Sequence, residues 1–150
     1  MLIIVVSIIL IPGAASSQLP ETGYIGLYTD DTHSSSCITG VGFYPAEIWI
    51  WFLPSINGST EVDFAISYPS NIIQSDKTKN MDLICVEVGD FESGYAVGFC
   101  SCERRWLWIA HQTLYITDST PSWVEIVKHP DPNVFCVQSW PCYDVLCAPG

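Results

Sequence analysis

From Glu61 to Tyr68 the chain reads EVDFAISY, and apolar and polar side chains alternate almost without a break. Val62, Phe64, Ile66 and Tyr68 fall on one face; Glu61, Asp63, Ala65 and Ser67 fall on the other. A period of two is the mark of a strand with one face buried. The apolar face must be the buried one, because an unpaired charge in an apolar interior is costly. Glu47–Leu53 (EIWIWFL) repeats the pattern, with Ile48, Ile50 and Phe52 against Glu47, Trp49, Trp51 and Leu53. Glu47 assigns the second face to solvent, beside Asp63, which leaves Trp49 and Trp51 partly exposed. A register slip of one residue reverses this and makes both tryptophans core, where large aromatics commonly lie. Trp106 and Trp108 in RRWLWIAHQ form a second such pair, and there the opposite face is Leu107, Ile109 and then His111.

No segment of useful length has a helical period. Extended segments recur at Tyr24–Tyr28, Ala46–Leu53, Glu61–Tyr68, Asp82–Val88, Tyr95–Cys102, Leu107–Ile116, Trp123–Lys128 and Val134–Gln138. Gly, Pro, Asn, Asp and Ser separate them. Short strands at this spacing predict an all-β antiparallel sandwich of about eight strands, jelly-roll or immunoglobulin/cohesin-like. PSINGS (Pro54–Ser59) predicts a hairpin turn, since Asn57-Gly58 tolerates positive φ. GDFESG (Gly89–Gly94) predicts a second turn. The polar stretch 69–82 reads as a loop. From His129 onward Pro130, Pro132, Pro141 and Pro149 rule out a central strand, leaving a Pro- and Cys-rich C-terminal strand and tail.

The first residues change the picture. An apolar run from Leu2 to Ile11 leads into Gly13-Ala14-Ala15-Ser16-Ser17, the h-region and cleavage site of a secretory signal peptide spanning residues 1–17. No Lys or Arg precedes the run, so either the α-amino group supplies the positive charge or the start lies upstream. The run is too short to be a membrane span, which needs about 20 residues. Residues 18–150 then form one secreted domain of about 130 residues, extracellular or periplasmic. Cys37, Cys85, Cys100, Cys102, Cys136, Cys142 and Cys147 read as a disulfide framework in an oxidising compartment. The odd count leaves one thiol over, and the rest allow roughly a hundred connectivities.

Charge narrows the partners. The net charge is −11 with five basic residues, so phosphate backbones and anionic lipid surfaces repel the chain and nucleic acid is not expected as a partner. His33, His111 and His129 are scattered, and the cysteine spacings are not those of a zinc site, so no metal or other cofactor is expected. Asp30-Asp31 reads as a solvated acidic loop, not a calcium site. No nucleophile, base and orienter can be named together, so catalysis is not expected. Six tryptophans and seven tyrosines with only 14% charged residues fit a carbohydrate binder as well as an ordinary secreted β domain. Exposed Trp rings stack on the apolar faces of sugars. The candidate ligand face is Trp49 and Trp51 with Glu47 and Asp63, and a second region is Trp106, Trp108 and His111. Asn57-Gly58-Ser59 is a formal glycosylation sequon.

Tyr24–Cys37 (YIGLYTDDTHSSSC), Val62–Pro69 (VDFAISYP), Gly98–Ile116 (GFCSCERRWLWIAHQTLYI) and Val124–Pro132 (VEIVKHPDP) together resemble uncharacterised exported bacterial β-sandwich domains. The hairpin is distantly similar to cohesin-like and carbohydrate-binding modules. The first resemblance implies Cys37 and Cys102 as partners, leaving Cys85 to pair with Cys100, and Cys136 with Cys142 or Cys147. The expected function is a secreted binding module for an extracellular glycan or protein. The alternatives are a structural or adhesive protein–protein module with every tryptophan in the core and, third, a glycoside-acting enzyme.

Overall fold

The computed structural model describes residues 23–38, 44–127, 129, 130 and 138–140. The expected leader, the C-terminal tail with Cys136, Cys142 and Cys147, and the start of the last expected strand lie outside them. The described residues hold nine strands: β1 (Tyr24–Tyr28), β2 (Tyr44–Leu53), β3 (Ser59–Ser67), β4 (Ile72–Lys79), β5 (Ile84–Asp90), β6 (Gly94–Glu103), β7 (Leu107–Ile116), β8 (Glu125–Val127) and β9 (Gln138–Trp140). They form two antiparallel sheets, β1-β2-β7-β4 and β5-β6-β3-β8, with β9 also pairing β3. Among the described residues no helix is long and apolar enough to cross a membrane.

The core lies between the sheets and follows the period-two pattern. Ile50 and Phe52 from β2 meet Val62, Phe64 and Ile66 from β3 and Tyr95, Val97 and Phe99 from β6. Phe52 stacks on Phe99 at 5.8 Å, and Phe64 on Phe91 at 6.0 Å. Phe91 comes from the β5–β6 turn, where the Asp90 carboxylate accepts from the backbone N–H groups of Glu92 and Ser93 at 2.9 and 2.8 Å. That satisfies two turn donors and folds the ring inward. Disulfide-linked Cys85 and Cys100 staple β5 to β6.

Three expectations are corrected. The turn before β3 forms, with the Gly58 N–H donating to the Ser55 carbonyl at 2.9 Å and Gly58 at φ +78°. It is not a hairpin, however, because β2 and β3 belong to different sheets and the turn arches between them.

Within the stretch 69–82, residues Ile72–Lys79 form edge strand β4 and not a loop. Its core-side positions are Gln74, Lys77 and Lys79, paired with Leu114, Gln112 and Ala110. The Lys77 and Lys79 ammonium groups lie 4.9 and 5.3 Å from the ring centres of Phe91 and Tyr95. Their aliphatic stems cover apolar surface while their charges protect the edge. Lys79 also pairs with Glu87 at 2.7 Å, and Glu87 accepts from the Tyr95 hydroxyl at 2.5 Å.

Finally, Cys37 is a free, exposed thiol, whereas Cys102 is disulfide-bonded. The Cys37–Cys102 pair does not form. Cys102 lies beside Gly58 at the Leu53 end of β2, and Cys37 borders Ala46 and Ile48 toward the other end. A disulfide needs Cα atoms within about 7 Å.

Candidate functional site

The outer face of the β1-β2-β7-β4 sheet is aromatic. In β1, Ile25 and Leu27 pack on the core, so the alternation turns Tyr24, Gly26 and Tyr28 outward. Cross-strand pairing sets Gly26 against Trp51 and Tyr28 against Trp49. Next along the sheet, Trp51 pairs with Trp108 and Trp49 with His111.

The last two pairings need a bulge. Trp108 and His111 are three positions apart, and in a regular strand they point to opposite faces. Between them Ile109 and Ala110 are both fully buried, and the register shifts at Ile50/Trp51. One extra residue on β7 resets the phase, so His111 joins the tryptophans. This corrects the expected assignment of His111 to the face opposite Trp106 and Trp108.

Two ring clusters result. Trp49 stacks on His111 at 4.5 Å with 23° between planes, and Trp108 meets Trp49 edge-on at 5.6 Å. In the second cluster, the His33 imidazole lies 4.8 Å from Trp51 and 4.5 Å from Trp106, tilted by 32° and 40°. Tyr24 and Tyr28 meet Trp106 edge-on at 5.8 and 6.3 Å. All these rings are partly exposed except Tyr24, which is more open.

His33 reaches this cluster from the turn after β1. The Asp30 carboxylate accepts from the Thr32 N–H and hydroxyl at 2.9 and 2.7 Å, and from the Ser34 N–H and hydroxyl at 3.0 and 2.8 Å. These bonds, the Ser34 N–H first, hold its carboxyl well below the usual carboxylate range. The Thr29 N–H closes the turn on the Ser35 carbonyl at 2.7 Å. His33 takes φ 49° at its tip, a region open to His more than to most side chains. The His33 Nδ1 and Trp51 Nε1 atoms are buried without a protein hydrogen-bond partner.

Gly26 leaves room for the two tyrosine rings that flank it. A Cβ there would lie 2.8 Å from the Tyr24 hydroxyl and 2.9 Å from the Tyr28 ring. Burial first, then a hydrogen bond with Tyr24, pushes the Tyr28 phenol up to about 12.

The two expected carboxylates separate. Glu47 is exposed on the aromatic face and pairs across with Thr113. Asp63 lies on the other sheet, only 6% exposed, with Ala96 on one side and Gln138 on the other. The expectation that it stands beside Trp49 and Trp51 is overturned by the inter-sheet arch. Its neighbour is Glu61, whose carboxyl is pushed up by burial and by Asp63.

Trp49, Trp51, Trp106, Trp108 and His111 therefore share one face. Sequence reasoning missed Tyr24, Tyr28 and His33 as members. The Tyr-x-Gly-x-Tyr alternation of β1 carries a signal for the first two, whereas nothing local marks His33. Among the described residues no group of three or more His, Cys, Asp or Glu side chains is placed to hold a metal ion. The arrangement offers stacking surfaces with polar edges. No family model, curated protein or solved structure matches the chain.

Proposed function

We propose that the chain is a secreted binding module that recognises carbohydrate on the outer face of the β1-β2-β7-β4 sheet. One observation carries this reading. Eight aromatic and imidazole rings gather on that face, partly open, while the core beneath is filled by a separate set of residues. The outer face of an antiparallel sandwich is ordinarily polar, and an apolar patch there favours a binding surface. Indole and phenol rings stack on the C–H faces of sugars, and their N–H and O–H groups serve hydroxyls at the rim. Glu47 and Thr113 supply further polar contacts at one end of the patch. The signal-peptide-like leader and the Cys85–Cys100 disulfide support export to an oxidising compartment.

A protein-binding role is the second reading. Val86 and Val88 are 62% and 66% exposed on β5, an edge strand, and an apolar edge favours strand addition by a partner.

The test is binding of the full chain to a panel of glycans and polysaccharides, with Trp49→Ala/Trp51→Ala as control. The reading expects binding by the native chain and its loss in a control that keeps its far-ultraviolet circular dichroism. Absence of binding to every sugar sinks the carbohydrate reading and leaves the β5 edge.

A further inference from the structure

A cavity of about 450 Å³ opens on the core side of the same sheet, toward the Tyr44 end of β2. Ala46, Ile48 and Leu114 are buried but lie outside the main core cluster, and they line this cavity. The 118–124 segment between β7 and β8 forms one wall, and the residues after β1, Cys37 among them, form another. A volume of this size suits a small organic ligand.

The charge of the lining selects the ligand. Asp118 is the one charged side chain among the described lining residues, with no Lys, Arg or His beside it. Its carboxylate accepts from the Thr120 N–H at 2.8 Å and the Asn71 side-chain amide at 3.1 Å. Those bonds hold its carboxyl below the usual range, so it is charged at neutral pH. Trp123, 76% exposed, belongs to the same wall, and an indole ring attracts a cation over its face. An anionic head group meets repulsion here, reinforced by a chain carrying −11.

We propose that this cavity binds an apolar organic cation, its hydrocarbon body seated against Ile48 and Leu114 and its ammonium head at Asp118 and Trp123. The site is separate from the tryptophan pairs of the outer face, and it stands or falls without them.

The experiment is calorimetric titration of the full chain with decyltrimethylammonium below its micelle concentration. Decyl sulfate and hexaethylene glycol monodecyl ether serve as the anionic and uncharged comparisons. The cation should bind about tenfold tighter than the sulfate. Asp118→Asn should weaken the cation several-fold while leaving the uncharged ligand unaffected, and Trp123→Ala should weaken the cation more than the uncharged ligand. Bound cation should also slow thiol labelling of Cys37, read by peptide mass mapping, and Ala46→Phe should abolish that protection by filling the cavity. Equal affinity for cation and sulfate, no binding, or binding without protection of Cys37 would each overturn the proposal. None of these outcomes bears on sugar binding by the outer face.

Discussion

The two faces of strand β2 differ in a way that burial alone does not capture. Toward the core point Ile48, Ile50 and Phe52, whose side chains are hydrocarbon throughout. Toward the outside point Trp49 and Trp51, joined by Trp106, Trp108, His111, Tyr24, Tyr28 and His33, every one of which carries a polar atom. Polar atoms on the inner face find protein partners. Gln112, 2% exposed, accepts from the Tyr68 hydroxyl at 2.7 Å and donates to Gln74 at 3.2 Å. On the outer face the Trp51 indole N–H and His33 Nδ1 have none, a cost that buried polar groups seldom carry. Contacts on the inner side also tie one sheet to the other, as Phe52 does with Phe99. Those on the outer side join β1, β2, β7 and one turn of the same sheet. The inner face holds the fold together, whereas the outer face is a surface that the fold carries.

This contrast can be broken most forcefully at Phe64 and Trp51. Phe64→Ala removes a fully buried ring and should cost about 3–5 kcal/mol in urea unfolding. Trp51→Ala removes a partly exposed ring and its contact with His33, and should cost only about 1–2 kcal/mol. Equal losses would mean that the outer cluster is a second core.

A smaller effect is expected on the alkaline side. Burial raises the phenols of Tyr28, Tyr68 and Tyr95 above the ordinary value, Tyr28 to about 12 and the other two further. Below pH ~10 folded and unfolded chains both keep these protons, and the contribution to stability is whole. Above it the unfolded chain ionises first, so stability should fall as pH rises toward and through the folded values. In an ultraviolet titration Tyr28, on the outer face, should ionise before Tyr95 in the core; the reverse order would erase the distinction between the faces.

The smallest change is expected from Asp30→Ala. It removes the acceptor that organises the turn under His33, so the near-ultraviolet circular dichroism of the tryptophans should change while the melting temperature hardly moves. An unaltered spectrum would show that stacking, not the turn, positions His33.

How much of this was legible in the sequence depended on how local each cause was. Alternation in β2 and β3 is a property of the extended backbone itself, so it placed Ile48, Ile50, Phe52, Val62, Phe64 and Ile66 in the core and turned Trp49 and Trp51 outward. The same alternation put Asp63 away from the core, but its expected place beside Trp49 and Trp51 failed because β3 joined the other sheet, a choice that rests on contacts distant in the chain. Strand β4 left only Ile72 and Ile73 as a hydrophobic trace, since its later core-side positions are filled by Gln74, Lys77 and Lys79 at an edge where only side-chain stems need be buried. The bulge at Ile109–Ala110 cancels the period that any reading of β7 relies on. His33 was set in place by a turn of local hydrogen bonds, but its landing between Trp51 and Trp106 required β2 and β7 to be neighbours first. The sequence alone therefore determined the all-β class, most of the strands and the faces of β1, β2 and β3. Tertiary structure decided which faces met and which rings were gathered on the surface, because pairing partners and bulges are settled only when distant segments compete for the same neighbours.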